Sequence, residues 1–368
     1  MPSQARPFSD RILRKIVRAI GALPDPMKRL IAGPPVRIDG QQLALEAQVG
    51  MRLLGIGVSK TFEQLPLAQG RDQITSEAYI FGSETPVETV RTFTIPGPAG
   101  PLSARLYRPA GIEGPSAALV YFHGGGWVLG DLESGDSVAR FFAAHTPLVV
   151  ISIDYRLAPE NPFPAGLDDA IVGFEYFVTH AAEFDLDADA IGVGGESAGG
   201  NLAAVLALHS APGWRPPAFQ VLFNPVTDLS TKHQSYGLFG DGFFLSESQM
   251  DWYKHHYVTE PQYLLDPRVS PLLAQDVSHA PPAYIVVAGF DVLRDEGEAY
   301  AAKLADAGVD VTLRRHAGLV HGFINATGVG HAARNALLEA VGVLHTRLAS
   351  RVRDSVLPAP GNGSTVRR

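Results

Sequence analysis

Gly195-Glu196-Ser197-Ala198-Gly199 has the G-x-S-x-G spacing that lets a serine hydroxyl stand out from a tight turn. A short apolar run, Ala190 to Val193, precedes it, and a small-residue helical pattern, Asn201 to His209, follows. Between a strand and a helix, such a turn strains the backbone of its central residue. A Cβ at Gly195 or Gly199 would meet neighbouring backbone. A glycine-rich turn with an ordinary serine has the same spelling, so the chemistry must be read from what else the chain supplies. A serine hydroxyl is a weak nucleophile at neutral pH. It needs a base, usually histidine, a carboxylate to orient that base, and donors aimed at the developing oxyanion.

The donors come from His123-Gly124-Gly125-Gly126, directly after the apolar run Ala117 to Phe122. Glycines at a strand end let backbone N–H groups converge. Gly124 and Gly125 are the expected donors, with Ala198 as the third, and removing one such donor typically costs roughly 3–4 kcal/mol of transition-state stabilisation. A phosphate loop fails on detail. Gly194 and Gly199 have the right separation, but Gly200 stands where lysine is required. Gly192 and Gly194 begin a dinucleotide-type G-x-G-x-x-G, but Ser197 takes its third glycine position. For the acid, Asp291 lies just past the run Tyr284 to Ala288, at the strand edge where open α/β sheets place their sites. Asp295 and Glu296 are alternatives inside the helix that follows. For the base, His321 follows an alternating run, Val309 to Arg315, after a short loop. His316 at the strand end is the second choice, and His255 and His256 fall in a different segment. The order Ser197, Asp291, His321 is that of the α/β hydrolases.

These residues require elements to hold them. Val90 to Ile95, Ala104 to Tyr107, Ala117 to Phe122, Leu148 to Ile153, Ala190 to Val193, Phe219 to Phe223, Ala283 to Ala288 and Val309 to Arg315 read as strands. Ser134 to Ala144, Gly166 to His180, Ser197 to Ser210, Leu293 to Ala307 and Ala332 to Arg351 read as helices. The alternation predicts an α/β fold, a mostly parallel eight-stranded central sheet flanked by helices. Residues 1–85 read as helices with loops, Phe8 to Ala22 and Gln41 to Leu54 among them, and residues 86–355 as the catalytic body. The stretch of about 228–270, rich in Phe and Tyr and too long for a simple connection, reads as a lid over a pocket. The tail, residues 356–368, has a disordered composition.

The 368 residues suit one large domain, or one domain with a lid. A net charge of -8 disfavours nucleic acid. With no cysteine, disulfides, thiolate zinc sites and a cysteine nucleophile are excluded, and a reducing compartment, the cytoplasm, fits. No apolar run reaches the roughly 18 residues of a membrane span. Arg11, Arg14, Lys15 and Arg18 interrupt Ile12, Leu13, Ile16, Val17 and Ile20 at helical spacing. Packing of this amphipathic helix on the protein's own body is expected, with membrane-surface contact as the other reading.

The motifs His123-Gly124-Gly125-Gly126, Tyr155-Arg156-Leu157-Ala158-Pro159-Glu160, Phe163-Pro164-Ala165, Gly195 to Gly200, Asp291 to Glu296 and His321-Gly322-Phe323 together resemble the hormone-sensitive-lipase-like (bacterial family IV) esterases of the α/β-hydrolase superfamily. The resemblance spans about 115 to 325. It implies an α/β-hydrolase fold with a helical cap, and by position residues 1–85 resemble the family's N-terminal cap helices. It also implies a Ser197–His321–Asp291 triad acting on small-molecule esters without metal or organic cofactor. His123 then shapes the oxyanion loop closed by Gly126, and Tyr155, Arg156 and Glu160 brace that loop. Glu196 stands where aspartate is commoner in the family. Relatives often dimerise through the last strand edge, here Val309 to Arg315. Cleavage of an amide, carbamate or thioester is the alternative, since amide-cleaving relatives share the motifs. Ligand-binding receptors of this fold lack the catalytic histidine, whereas His321 is present here. Serine at 197 excludes an aspartate nucleophile.

Overall fold

The computed structural model describes residues 7–57, 60–112 and 114–356; the tail beyond Val356 lies outside the described residues. Four helices come first: α1 Phe8–Gly21, α2 Asp25–Ala32, α3 Leu45–Gly57 and α4 Leu67–Phe81. Between α2 and α3, β1 Arg37–Ile38 and β2 Gln41–Gln42 form a hairpin, so the helix expected from Gln41 begins only at Leu45. Asp39 and Gly40 both have positive φ (53° and 69°), as a two-residue Asp-Gly hairpin turn requires. That dipeptide is the signal the helical reading passed over.

The body alternates as expected: β3 Thr89–Gly97, β4 Gly100–Arg108, β5 Ser116–Phe122, α5 Leu132–His145, β6 Val149–Ile153, α6 Ala165–Thr179, β7 Leu186–Glu196, α7 Ala198–Ala207 and β8 Gln220–Phe223. Then follow α8 Gln234–Phe239, α9 Glu247–Tyr257, β9 Ala283–Phe290, α10 Arg294–Asp306, β10 Val311–Val320 and α11 Ala332–Val356. Eight strands make one sheet in the order β10-β9-β8-β7-β5-β6-β4-β3. All pairs from β10 to β6 are parallel, while β4 and β3 are antiparallel at one end.

Alternation along the strands sorts the core onto two faces. Val120, Phe122, Ile151 and Val193 pack with Phe174, Leu202 and Leu304 of α6, α7 and α10. Leu119, Tyr121, Val150 and Val221 face the other way, onto Phe142 and Leu337 of α5 and α11. Helix starts are set chemically. Asp131 accepts from the Ser134 N–H at 2.7 Å while the Ser134 hydroxyl accepts from the Asp131 N–H at 2.8 Å, so α5 opens at Leu132, two residues before the apolar pattern suggested.

The chain runs from β5 to β6 on one side and returns to β7 on the other. The carboxyl ends of β5 and β7 therefore flank the point where strand order reverses, and a crevice opens there. The long connection after β8 forms α8 and α9, and its aromatics are largely consumed in packing. Phe239 and Phe243 lie against Phe290, Tyr253 stacks on Phe62 and Tyr257 on Trp127.

α1 does lie on α4, but not by the side its sequence suggested. Arg14 and Val17 are the buried residues, whereas Phe8, Ile12, Leu13 and Ile16 are exposed. Arg14 is accommodated because its guanidinium covers the Tyr79 ring at 4.2 Å and meets Glu84 at 2.7 Å.

Candidate active site

Strand register does most of the assembly. In β7 and β5, Gly195 pairs with Phe122, so the loop starting at His123 begins beside the turn that carries Ser197. Ser197 has φ 55° and ψ −117°, the strained backbone of a strand-to-helix elbow. A Cβ on Gly195 would lie 2.3 Å from the Gly199 backbone, and one on Gly199 would lie 2.1 Å from the Phe122 carbonyl oxygen. Neither neighbour is a flexible side chain, so both glycines are steric requirements of the turn.

Asp291 and His321 are brought together by a bulge. From Val311 to His316, β10 pairs with β9 at a constant offset, but after the irregularity Val320 pairs with Phe290. The next residues on the two strands are therefore His321 and Asp291, and His321 Nδ1 lies 2.8 Å from Asp291 Oδ2. The carboxylate's other oxygen accepts the Leu293 N–H at 3.0 Å. Carboxylate oxygens accept, so Nδ1 carries the proton and Nε2 of the neutral ring keeps its lone pair. Ser197, His321, His123, Gly124, Gly125, Gly126 and Glu196 all line one cavity.

The runners-up are engaged elsewhere. His316 pairs with Ala288 before the bulge and approaches Glu339 of α11 at 4.0 Å. Asp295 accepts from the Ser235 N–H, and the fully buried Glu296 accepts from Thr227 and Asp228. His256 Nδ1 bonds the Trp252 carbonyl within α9.

The glycine loop is turned so that its carbonyls are occupied. Gly124 O accepts from His123 Nδ1 at 2.8 Å, and Gly125 O accepts from the Val128 and Leu129 N–H groups. An oxyanion role for these two residues would fall to their N–H groups. Ala198 opens α7, so its N–H belongs to the first turn, which has no intrahelical acceptor. Gly125 and Gly126 have φ of 116° and 61°. A Cβ on Gly126 would sit 2.0 Å from the Tyr253 ring that covers the loop. Beneath, Tyr155 donates its hydroxyl to the His123 carbonyl at 2.9 Å and stacks on the His123 ring. Arg156 is held by the buried Asp169 at 2.8 Å. Glu160 binds Arg71 of α4, whose guanidinium also donates to the Val128 and Ala158 carbonyls, tying the loop to the N-terminal helices.

Glu196, buried, accepts from Asn325 Nδ2 with both oxygens at 3.0 and 2.8 Å. Asn325 carried no signal in the sequence, because nothing about its type or spacing tied it to a residue 129 positions earlier. Burial is the largest influence on Glu196 and holds its carboxyl above the ordinary value, with Asp291 adding to this against His321 and Asn325. For His321, burial alone lowers the pKa, but the Asp291 charge, its hydrogen bond and the Glu196 charge together outweigh it, and the net shift is upward. If His321 is the base it must be neutral to work. The acid limb of the kcat/KM–pH profile is then expected to have its midpoint above 6.5, the ordinary histidine value. Glu196→Gln keeps an acceptor for Asn325 but removes a charge that favours the imidazolium, so the midpoint moves to lower pH. A steady-state profile of the two enzymes checks this, and an unmoved midpoint contradicts the assigned coupling.

A protein-family model described as alpha/beta hydrolase fold matches residues 119–325, more than half of the chain. The carboxylic ester hydrolase LipN of Mycobacterium tuberculosis is 41% identical over 348 residues, covering 90% of this chain and 91% of that protein. The chain belongs to the hormone-sensitive-lipase-like esterases of the α/β-hydrolase superfamily. Its class is carboxylic ester hydrolase. Two solved structures agree in fold. The ester hydrolase EH1AB1 from the Lake Arreo metagenome is 40% identical, with a TM-score of 0.81, covering 83% of this chain and 99% of its own. The hyperthermophilic esterase of Pyrobaculum calidifontis is 34% identical, with a TM-score of 0.78 and the same shares covered. As in the family pattern, the sheet of this esterase is mostly parallel and eight-stranded.

Proposed function

We propose that this esterase hydrolyses short- to medium-chain acyl esters through a Ser197–His321–Asp291 triad and an acyl-enzyme. The observation that carries this is that His321, hydrogen-bonded to the buried Asp291, lines the same cavity as the strained Ser197. Ser197 Oγ attacks the ester carbonyl as His321 Nε2 takes its proton. Asp291 fixes the imidazole tautomer and offsets the imidazolium charge. The N–H groups of Gly124, Gly125 and Ala198 receive the oxyanion. His321 then protonates the leaving alcohol. Water attacks the acyl-Ser197 carbonyl with His321 again as base, the acyl–Oγ bond breaks, Ser197 Oγ regains its proton from His321, and the carboxylic acid leaves. No step calls for a metal or organic cofactor. Amides and thioesters could follow the same course, but relatives named as ester hydrolases favour the ester.

The cavity supports the chain-length reading. It offers about 210 Å³ to the centres of water-sized molecules, and Met51, Ile74, Ala78, Phe81 and Leu245 are among its walls. Among the described residues, the acid side chains on its lining are Glu46, Glu77 and Glu196, and no lysine or arginine lines it. Glu46 is offset by Lys28 and by the His331 and Ala332 N–H groups. Glu77 has a hydrogen bond only from Gln73 on its own helix, and burial raises its pKa against that bond. An anionic acyl group therefore finds no lysine or arginine to pair with among the described lining residues. Across p-nitrophenyl esters from acetate to palmitate, kcat/KM is expected to peak at short or medium length and to fall at palmitate. The hemisuccinate ester is expected at roughly one-tenth or less of the butyrate ester's kcat/KM. A maximum at palmitate would overturn the length assignment, and equal rates for butyrate and hemisuccinate the charge assignment.

A dimer through the outer edge of β10 is part of the same family reading, and its support is that β10 ends the sheet with Leu313, Arg314 and Arg315 exposed.

A further inference from the structure

We propose that α1 and the groove beside it dock this protein on an anionic lipid surface. Eleven large apolar side chains are exposed among the described residues, and six of them lie in the first two helices: Phe8, Ile12, Leu13, Ile16, Met27 and Leu30. Four of these share the single helix α1, a concentration that stands apart from the scattered exposure any surface carries. In α1, Phe8, Ile12 and Ile16 recur every fourth residue and form one stripe along the face opposite the buried Arg14 and Val17.

The stripe is bordered by charge of one sign. Arg11, Lys15 and Arg18 are exposed alongside it, and the same three line a groove between α1 and the Tyr79–Glu84 region. The groove offers about 320 Å³ to water-sized molecules. Among the described residues its only carboxylate is Glu84, already paired with the buried Arg14. Burial, and then the Arg14 charge, hold Arg18 below its ordinary value, as expected where positive charge is incompletely offset. On a chain of net charge -8, a cationic groove beside an apolar stripe complements an amphiphile with an anionic head and apolar tails. A helix of this pattern lies in the plane of the interface with its apolar face in the acyl boundary. α1 packs on α4, which contributes Ile74, Glu77 and Phe81 to the active-site cavity, so docking would hold that wall of the cavity at the lipid surface. The proposal does not depend on the esterase mechanism.

The test is co-sedimentation of the full chain with vesicles of phosphatidylcholine alone and of phosphatidylcholine with phosphatidylglycerol. Wild type is expected to bind the anionic vesicles, and to bind them less at high salt because the cationic contribution is screened. The Ile12→Glu/Ile16→Glu and Arg11→Glu/Lys15→Glu variants should each partition at least about tenfold less. All three proteins should hydrolyse a soluble short-chain ester equally, which reports an intact fold. Equal vesicle binding by wild type and variants overturns the proposal. So does a wild-type dimer that Ile12→Glu dissolves without any vesicle binding, because the stripe would then be an interface between copies.

Discussion

Ser197→Ala is expected to lower kcat/KM toward p-nitrophenyl butyrate by about 100,000-fold. The substitution removes one oxygen and little else. Ser197 sits at φ 55°, a conformation as strained for alanine as for serine, and its backbone contacts, N–H to the Phe223 carbonyl and carbonyl to the Asn201 N–H, survive. Circular dichroism and thermal unfolding should therefore be close to wild type, which separates a chemical loss from a folding loss. Residual catalysis would come from binding and from the oxyanion donors, which the variant retains. Steady-state kinetics on purified protein, with His316→Ala as control, checks it. His316 faces Glu339 and is outside the cavity lining, so its removal should change turnover only a few-fold. Wild-type activity in Ser197→Ala would place the nucleophile elsewhere.

Asp291→Asn is expected to cost about 10,000-fold in kcat/KM. The cause is tautomeric. Asp291 Oδ2 accepts from His321 Nδ1, which leaves Nε2 free to take the serine proton. An asparagine that presented its NH₂ group there would donate to Nδ1, move the ring proton to Nε2 and block the base. The variant also loses the charge and the hydrogen bond that raise the His321 pKa. Whatever activity remains should have its acid limb at lower pH than wild type. A pH series of kcat/KM reads both effects, and a loss without that displacement would argue for misplacement of the loop instead.

The body of the fold was legible because strands buried on both faces are continuous apolar runs, and each lies between glycine, proline or polar residues. The five continuous apolar runs are β5 to β9, and the short or alternating segments at Val90, Ala104 and Val309 are β3, β4 and β10 of the same sheet. The separation of Ser197, Asp291 and His321 along the chain was legible too, because each follows its own strand. Their approach was not. The bulge between His316 and Val320 sets His321 opposite Asp291, and register between strands distant in sequence leaves no local periodicity. Asn325 beneath Glu196 and Tyr253 over Gly126 were invisible for the same reason. The N-terminal region misled in a different way. An apolar stripe at helical spacing normally marks the buried face. In α1 the cation–π contact of Arg14 with Tyr79 and its ion pair with Glu84 put a charged residue inside and leave the stripe outside.

The covalent step is open to direct measurement. An alkyl p-nitrophenyl phosphonate mimics the tetrahedral intermediate and cannot be released by the usual deacylation. Incubated with wild type and followed by intact-protein mass spectrometry, it should add one phosphonyl group per chain as activity falls to zero. Peptide mapping should find that group on Ser197, and His321→Ala should label far more slowly. Complete inactivation with the label on any other residue, or with no covalent adduct, would contradict an acyl-enzyme on Ser197.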